Sequence, residues 1–184
     1  MKTLLINEPV KYEGWQLSPH WIYKNYKIQG DAIVAFRGEC EVKLSEMVDI
    51  EDVINNEPIY SKDMLSFISE QFGIGLTEGV YRQRLLICTI KEALEKRGIN
   101  VVRAGDDLYV NGKKLTVSIA TKSLTSILIH TGININSEGA PVKASGLTND
   151  LGITDIDVFA KEIMANYSQE TDDIILAATK VRGV

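Results

Sequence analysis

Asn111-Gly112 constrains this chain more than any other short stretch in it. A two-residue β-hairpin turn of the favoured hand needs positive φ at both central positions, and Asn-Gly supplies that at little steric cost. The flanking runs DDLYV and KLTVSIAT are rich in apolar and β-branched residues. They predict a hairpin in which Val110 faces Lys113, Tyr109 faces Lys114, Leu108 faces Leu115 and Asp107 faces Thr116. Directly opposed residues share a face, so Leu108, Val110, Leu115, Val117 and Ile119 form the expected core side, with Lys113 at its rim. Asp107, Tyr109, Lys114, Thr116 and Ser118 form the other side. The next run, TSILIHTGININ, divides similarly: Ile127, Ile129, Thr131, Ile133 and Ile135 make one row, and Ser126, His130, Gly132, Asn134 and Asn136 the other, with Leu128 as the exception. If these strands are neighbours, Lys114, Asp107, Thr116, Ser118, His130 and Asn134 gather on one polar face, and Gly132 leaves room for a group to approach the backbone. A ligand site accounts for such a face, and so does a solvated sheet face with ordinary polar residues.

Around this sheet the sequence places helices. Glu78 to Arg97 reads as a long helix with Leu86, Ile90 and Leu94 on one stripe and Gly98 as its stop. In SKDMLSFISEQFG, Ser61 can cap, and Met64, Leu65, Ile68 and Phe72 fall at helical spacing before Gly73, which predicts a second helix. Asp49 is an expected N-cap for a short helix in MVDIEDVINN, with Glu51 and Asp52 in its first turn. AIVAF reads as a strand, preceded by an irregular aromatic region that lays Trp15, Trp21 and Tyr23 over the core. After the loop GAPVKASGLTNDLGI, two amphipathic helices are expected, near Asp155 to Tyr167, capped by Thr154 or Asp155, and Thr171 to Lys180. Helices on a mainly antiparallel sheet, without regular β-α-β alternation, define an α+β fold. The chain's 184 residues suit a single domain spanning 1–184.

Twenty-five acidic against 20 basic residues give a net charge of -5, which argues against non-specific binding of nucleic acid. MKTLLI is too short for a signal-peptide core or a membrane span, so a cytoplasmic protein without a membrane partner is expected. Cys40 and Cys88 each sit among apolar neighbours and read as reduced, buried thiols. Asp49, Glu51 and Asp52 could hold magnesium, but helix capping explains them, and no His/Cys cluster suggests zinc. No metal and no particular cofactor are therefore specified. Arg82 and Arg84 suit either an anionic ligand or the exposed face of their helix.

DDLYVNGKKL, a strand of small residues and then HTGININ resemble the central region of the biotin and lipoate protein ligases and the octanoyltransferases, whose fold is related to class II aminoacyl-tRNA synthetases. That resemblance implies a biotin/lipoate-ligase-like fold. It makes Asp106 and Asp107 counterparts of an Asn-Asp pair, Lys114 the lysine held against an acyl carboxylate, and Gly132 to Ile135 the late glycine-to-asparagine strand. Along almost its full length, through GDAIVAFRGEC, MVDIEDV, YRQRLL, PVKASGL and KVRGV, the chain is also similar to DUF366, a family placed with this superfamily by fold and carrying no established activity. The chain departs from the ligases at two points. Where they have a glycine- and arginine-rich loop for phosphate and acyl groups, only Arg37-Gly38 stands in FRGEC, and one glycine cannot form that loop. Where octanoyltransferases have Pro-Cys-Gly, this chain has Ala144-Ser145-Gly146, and a serine needs an adjacent base to attack. The expected site is thus Lys114 and Ser145 as catalytic groups, with Arg37, Asp106, Asp107, His130, Gly132 and Asn134 binding a small carboxylate or acyl compound. A non-catalytic small-molecule module that kept the fold and lost the phosphate loop is the alternative. The oligomeric state is left open.

Overall fold

A computed structural model describes residues 1–140 and 142–183. Five strands form the main sheet in the order β1 (Lys2–Leu5), β2 (Ala32–Val42), β3 (Ile59–Phe72), β8 (Ser126–Asn136) and β7 (Thr116–Lys122). Only β1 and β2 run parallel; the other pairs are antiparallel. A small sheet of β4 (Val102–Ala104), β5 (Asp107–Val110) and β6 (Lys113–Lys114) stands beside it. Short helices α1 (Trp21–Tyr26) and α2 (Ile50–Asn55) join long helices α3 (Leu76–Glu95) and α4 (Ile156–Thr179) to complete the α+β architecture.

Both faces of the main sheet are covered. Ile33, Ala35, Leu65, Phe67, Ile129 and Ile133 pack against Leu86, Ile90, Phe159 and Ile163 of α3 and α4. On the opposite face Val34, Phe36, Met64, Ile68 and Leu128 meet Tyr12, Leu17, Trp21 and Ile22 from the N-terminal region. The Leu128 that breaks the polar row of β8 therefore belongs to a second apolar cluster, so the polar face is not a freely solvated one.

This two-sided burial explains why residues 61–72 form the greater part of β3 rather than the expected helix. β3 lies between β2 and β8, and a strand buried on both faces loses the polar/apolar alternation by which strands are recognised. Its polar side chains are satisfied inside the protein: Ser69 Oγ donates to the Ala32 carbonyl, and Glu70 accepts from the His20 amide and the Ser126 hydroxyl. Gly73, at φ 74°, ends the strand instead of a helix.

At the C-terminus, one continuous α4 replaces the expected pair of helices. Residues 168–170 contain no glycine or proline to stop a helix, and the Thr171 hydroxyl donates to the Tyr167 carbonyl within α4 at 2.8 Å. Asp155 occupies its N-cap position, without a side-chain cap bond. In the N-terminal region Trp21 is buried while Trp15 and Tyr23 are exposed, and MKTLLI supplies the edge strand β1. The expected Asp49 cap is present, its carboxylate accepting from the Glu51 amide at 2.8 Å. Cys40 is buried, Cys88 half-buried, and both are free. No helix among the described residues is long and apolar enough to cross a membrane.

Candidate functional site

The hairpin forms in the expected register, with Asn111 at φ 51° and Gly112 at φ 73°, Tyr109 opposite Lys114 and Val110 opposite Lys113. The expected faces then part company at Leu115. Its amide donates to the Leu108 carbonyl within the hairpin, and its own carbonyl accepts from Asn134 of the main sheet. The chain changes sheets at this residue, so parity is not carried across it. Leu108, Val110 and Leu115 enter the core beneath α3 and α4, whereas Val117 and Ile119 turn to the other side of the main sheet. Ser118, expected on the polar face, hydrogen-bonds Gln83 of α3 and Thr131 of β8.

On the sheet face away from α3 and α4 lies a cavity of about 270 Å³. Met64, Val117 and Ile119 form an apolar floor, Tyr12 and Leu17 close one side, and residues 46–49 and 57–60 with Asp52 form a wall between β2 and β3. Five of the expected site residues, Lys114, Asp106, Asp107, His130 and Asn134, meet here, together with Thr116 and Ser118 of the expected polar face. The position of Lys114 follows from the turn: it stands two residues after Gly112, opposite Tyr109, and its Nζ lies 2.8 Å from the Asp107 carboxylate. Asp106 accepts from Gln83 at 2.9 Å and lies 3.4 Å from Arg84. Neither Arg82 nor Arg84 lines the cavity; Arg82 binds Glu78 and Gln71.

The cavity is strongly acidic. Glu46, Asp49, Asp52, Glu57, Asp106 and Asp107 line it, against Lys114 as the single lysine or arginine among the described lining residues. Burial alone would lower the Lys114 pKa, but the hydrogen bond and charge of Asp107, with Tyr109 and Asp52 behind it, hold it above the usual lysine value. Lys114 is therefore a permanent cation suited to stabilising negative charge on an oxygen, not a neutral amine nucleophile. Burial, then the neighbouring Asp49, Glu57 and Glu51 carboxylates, push the Asp52 carboxyl up, with Lys114 opposing them. His130 is an uncharged imidazole, since burial lowers its pKa to about 3. Its ring stacks on Tyr12 with centroids 3.7 Å apart, and Nε2 lies 3.3 Å from the Ser66 hydroxyl.

Three expected site residues lie elsewhere. Arg37 shares the side-chain direction of Ile33 and Ala35, which face the helices, and forms a forked ion pair with Asp63. It is not on the cavity, and the glycine beside it is fully used: a Cβ on Gly38 would collide with the Val10 carbonyl. Ser145 is buried and donates to the Val110 carbonyl at 3.4 Å; the neighbouring Ala144, bridged to Lys114, is the residue that borders the cavity. Gly132 leaves no space for a ligand, because Met64 fills it: a Cβ there would collide with the thioether, with Cε at 3.1 Å and Cγ at 3.2 Å.

Conversely, Tyr12, Met64 and the wall residue Glu57 lack any motif, and Asp52 reads in the sequence only as a first-turn or magnesium-binding carboxylate. Tyr12 comes from the irregular N-terminal region and reaches the site by pairing with Cys40 of β2. Only the amphipathic acidity of residues 46–57 could have signalled the wall.

A model of the family described as Domain of unknown function (DUF366) matches residues 1–182. The uncharacterized protein MJ0805 of Methanocaldococcus jannaschii is 42% identical over 180 residues, covering 95% of this chain and 81% of that protein. A protein of unknown function from Pyrococcus horikoshi has the same structure at TM-score 0.93 and 40% identity, over 100% of this chain and 98% of its own. The fold extends to protein Ta0514 of T. acidophilum, provisionally assigned as a lipoate protein ligase and solved with bound lipoic acid: TM-score 0.64, 13% identity, 91% of this chain and 84% of that one. It extends equally to an Aquifex aeolicus biotin protein ligase in complex with biotin, at TM-score 0.61 and 14% identity over 94% and 70% of the two chains. The α+β fold is thus that of the biotin and lipoate protein ligases.

Proposed function

Because the chain belongs to the DUF366 family, whose description assigns no activity, we propose from the site itself that it handles an amphipathic carboxylate or acyl compound in the manner of a ligase or transferase. The apolar part lies on Met64, Val117 and Ile119, and the carbonyl end meets Lys114. The observation that carries this reading is the single ammonium at the edge of an apolar-floored cavity, with one N–H committed to Asp107. A lysine ammonium has three N–H donors. Two remain for a carbonyl or carboxylate oxygen, and one well-aimed donor to a developing oxyanion lowers a barrier by about 3–4 kcal/mol. The bound lipoic acid of Ta0514 and the biotin of the Aquifex aeolicus ligase, both carboxylates, support the ligand class.

The acidic wall favours a second reading, a binding module that does not use a nucleotide. At an effective dielectric of ~20, each negative charge about 6 Å from one of these carboxylates is repelled by roughly 3 kcal/mol, so a triphosphate with several charges is disfavoured far more than a single carboxylate held on Lys114. The wall also lacks the glycine-rich cradle that holds phosphates. Both readings place the carbonyl end at Lys114 and differ only in turnover.

Melting curves with octanoate, lipoate and biotin, each with and without ATP and for wild type beside Lys114→Ala, test the shared claim. A ligand at 100 times its Kd adds about 2.7 kcal/mol, which for a chain this size is a rise of roughly 5–11 °C. A rise abolished in Lys114→Ala supports the site, and pyrophosphate release on adding ATP separates ligase from binder. No rise with any of these compounds, together with a variant that melts like wild type, would remove the proposal.

A further inference from the structure

The two aromatic rings at the far end of the cavity carry a pair of polar atoms that no described residue uses. Tyr12 and His130 are each 3% exposed, and both line the cavity. Among the described residues, no enclosed side-chain nitrogen or oxygen lacks a hydrogen-bond partner. Yet the Tyr12 hydroxyl makes no hydrogen bond with any described residue, and His130 bonds only through Nε2, to Ser66. Both free atoms must therefore open on the cavity. Leaving such groups dry is costly, so proteins almost always satisfy them with a side chain, a water or a ligand.

The chemistry of the pair is specific. Both groups are uncharged at neutral pH, since burial holds His130 neutral and raises the Tyr12 hydroxyl far above its ordinary pKa. A phenol both donates and accepts, and a neutral imidazole with Nε2 on a hydroxyl presents one complementary function at Nδ1. Together they fit an uncharged group with a donor, an acceptor or both, such as a hydroxyl, a ketone or an amide. A charged group here would face burial without a counter-ion.

The distance to Lys114 fixes where that group sits in the ligand. Lys114 lies against the Asn134 end of β8, through the bond from the Asn134 amide to the Leu115 carbonyl. His130 is four residues earlier on the same strand, about 13 Å away at ~3.3 Å per residue. Val117, paired with Gly132 and carrying the apolar floor, lies between.

We propose that Tyr12 Oη and His130 Nδ1 form a neutral polar subsite, and that the ligand is a medium-chain acyl compound bearing an uncharged hydrogen-bonding group at the end remote from its carbonyl. This rests on the proposed carbonyl end at Lys114 for the ligand's orientation, while the subsite itself stands on the unpaired atoms.

Calorimetric titration with octanoate, 8-hydroxyoctanoate and 1-octanol, for wild type, Tyr12→Phe and Lys114→Ala, tests both ends separately. Tyr12→Phe keeps the stacked ring and removes only a hydroxyl without a partner among the described residues, so the ligand-free protein melts no lower than wild type. Wild type should bind 8-hydroxyoctanoate about 3- to 10-fold more tightly than octanoate, the worth of an ordinary net hydrogen bond or two. Tyr12→Phe should reduce that preference to within about twofold, and Lys114→Ala should weaken both acids alike. Equal binding of the two acids to wild type means that water satisfies the pair, and overturns the subsite. If neither acid binds, the carbonyl-end reading fails, and 1-octanol decides the subsite alone: binding weakened by Tyr12→Phe and not by Lys114→Ala upholds it, and any other result overturns it.

Discussion

Gly132→Ala is expected to damage this protein by moving Met64, not by blocking a ligand directly. Gly132 lies on β8 between Ser66 of β3 and Val117 of β7, so its backbone has paired strands on both sides and little freedom to retreat. An added Cβ would collide with the Met64 thioether, leaving Cε and Cγ at 3.1 and 3.2 Å. Met64 must swing, and its side chain borders the cavity, so the open direction is into that volume. Overpacking of this kind costs about 1–3 kcal/mol, nearer the lower end for an unbranched thioether. At ~2–4 °C per kcal/mol for a chain this size, the melting temperature falls by roughly 2–12 °C. Met64→Ala alone also destabilises, by leaving a void, but combined with Gly132→Ala it should cost less than the sum of the two single changes. Scanning calorimetry of the four proteins supplies the double-mutant cycle. A Gly132→Ala variant as stable as wild type, or strictly additive changes, would refute the assignment of that space to Met64.

Further outcomes follow from the same geometry. His130 is held neutral with a pKa of about 3, below its unfolded value near 6.5, so the unfolded chain binds the extra proton between those limits and stability falls as pH drops through that window. The slope from this group approaches about 1.4 kcal/mol per pH unit, and urea titrations at pH 6, 5 and 4 should show the pH dependence flattened in His130→Gln. Ser145→Ala removes only a 3.4 Å bond to the Val110 carbonyl, so ligand affinity should stay within about twofold of wild type by calorimetry. A complete loss of binding in that variant would return Ser145 to the site. Asp107→Asn removes the hydrogen-bonded charge that raises the Lys114 pKa, and NMR of the Lys114 Cε resonance should titrate at lower pH than in wild type.

Much of the site was legible because it depends on local chemistry. Asn111-Gly112 sets a register, the register puts Lys114 opposite Tyr109 and near Asp107, and alternation along β8 puts His130 and Asn134 on one face. Local pattern misleads where long-range packing overrides it. β3 mimics a helix because both its faces are buried, and Val117 and Ile119 lie opposite to the side that hairpin parity implies because Leu115 passes the chain from one sheet to another. A glycine in a strand signals a close approach but not by what; at Gly132 the answer is Met64 of the adjacent strand β3, two residues from Gly132's direct partner Ser66 and invisible to spacing. Arg37 and Ser145 carried plausible chemistry at positions whose side chains point away from the cavity. Tyr12 could not be assigned at all, because its place beside His130 depends on a bridge to Cys40.

The central claim is that a carbonyl-bearing, amphipathic ligand lies across Met64, Val117 and Ile119 with its oxygen end at Lys114. A crystal structure of the protein soaked with octanoate tests this most directly. The account predicts the carboxylate within hydrogen-bond reach of Lys114 Nζ and the chain running over Val117 toward His130. A chain bound in the opposite sense, or outside the cavity while the cavity holds only water, would contradict it.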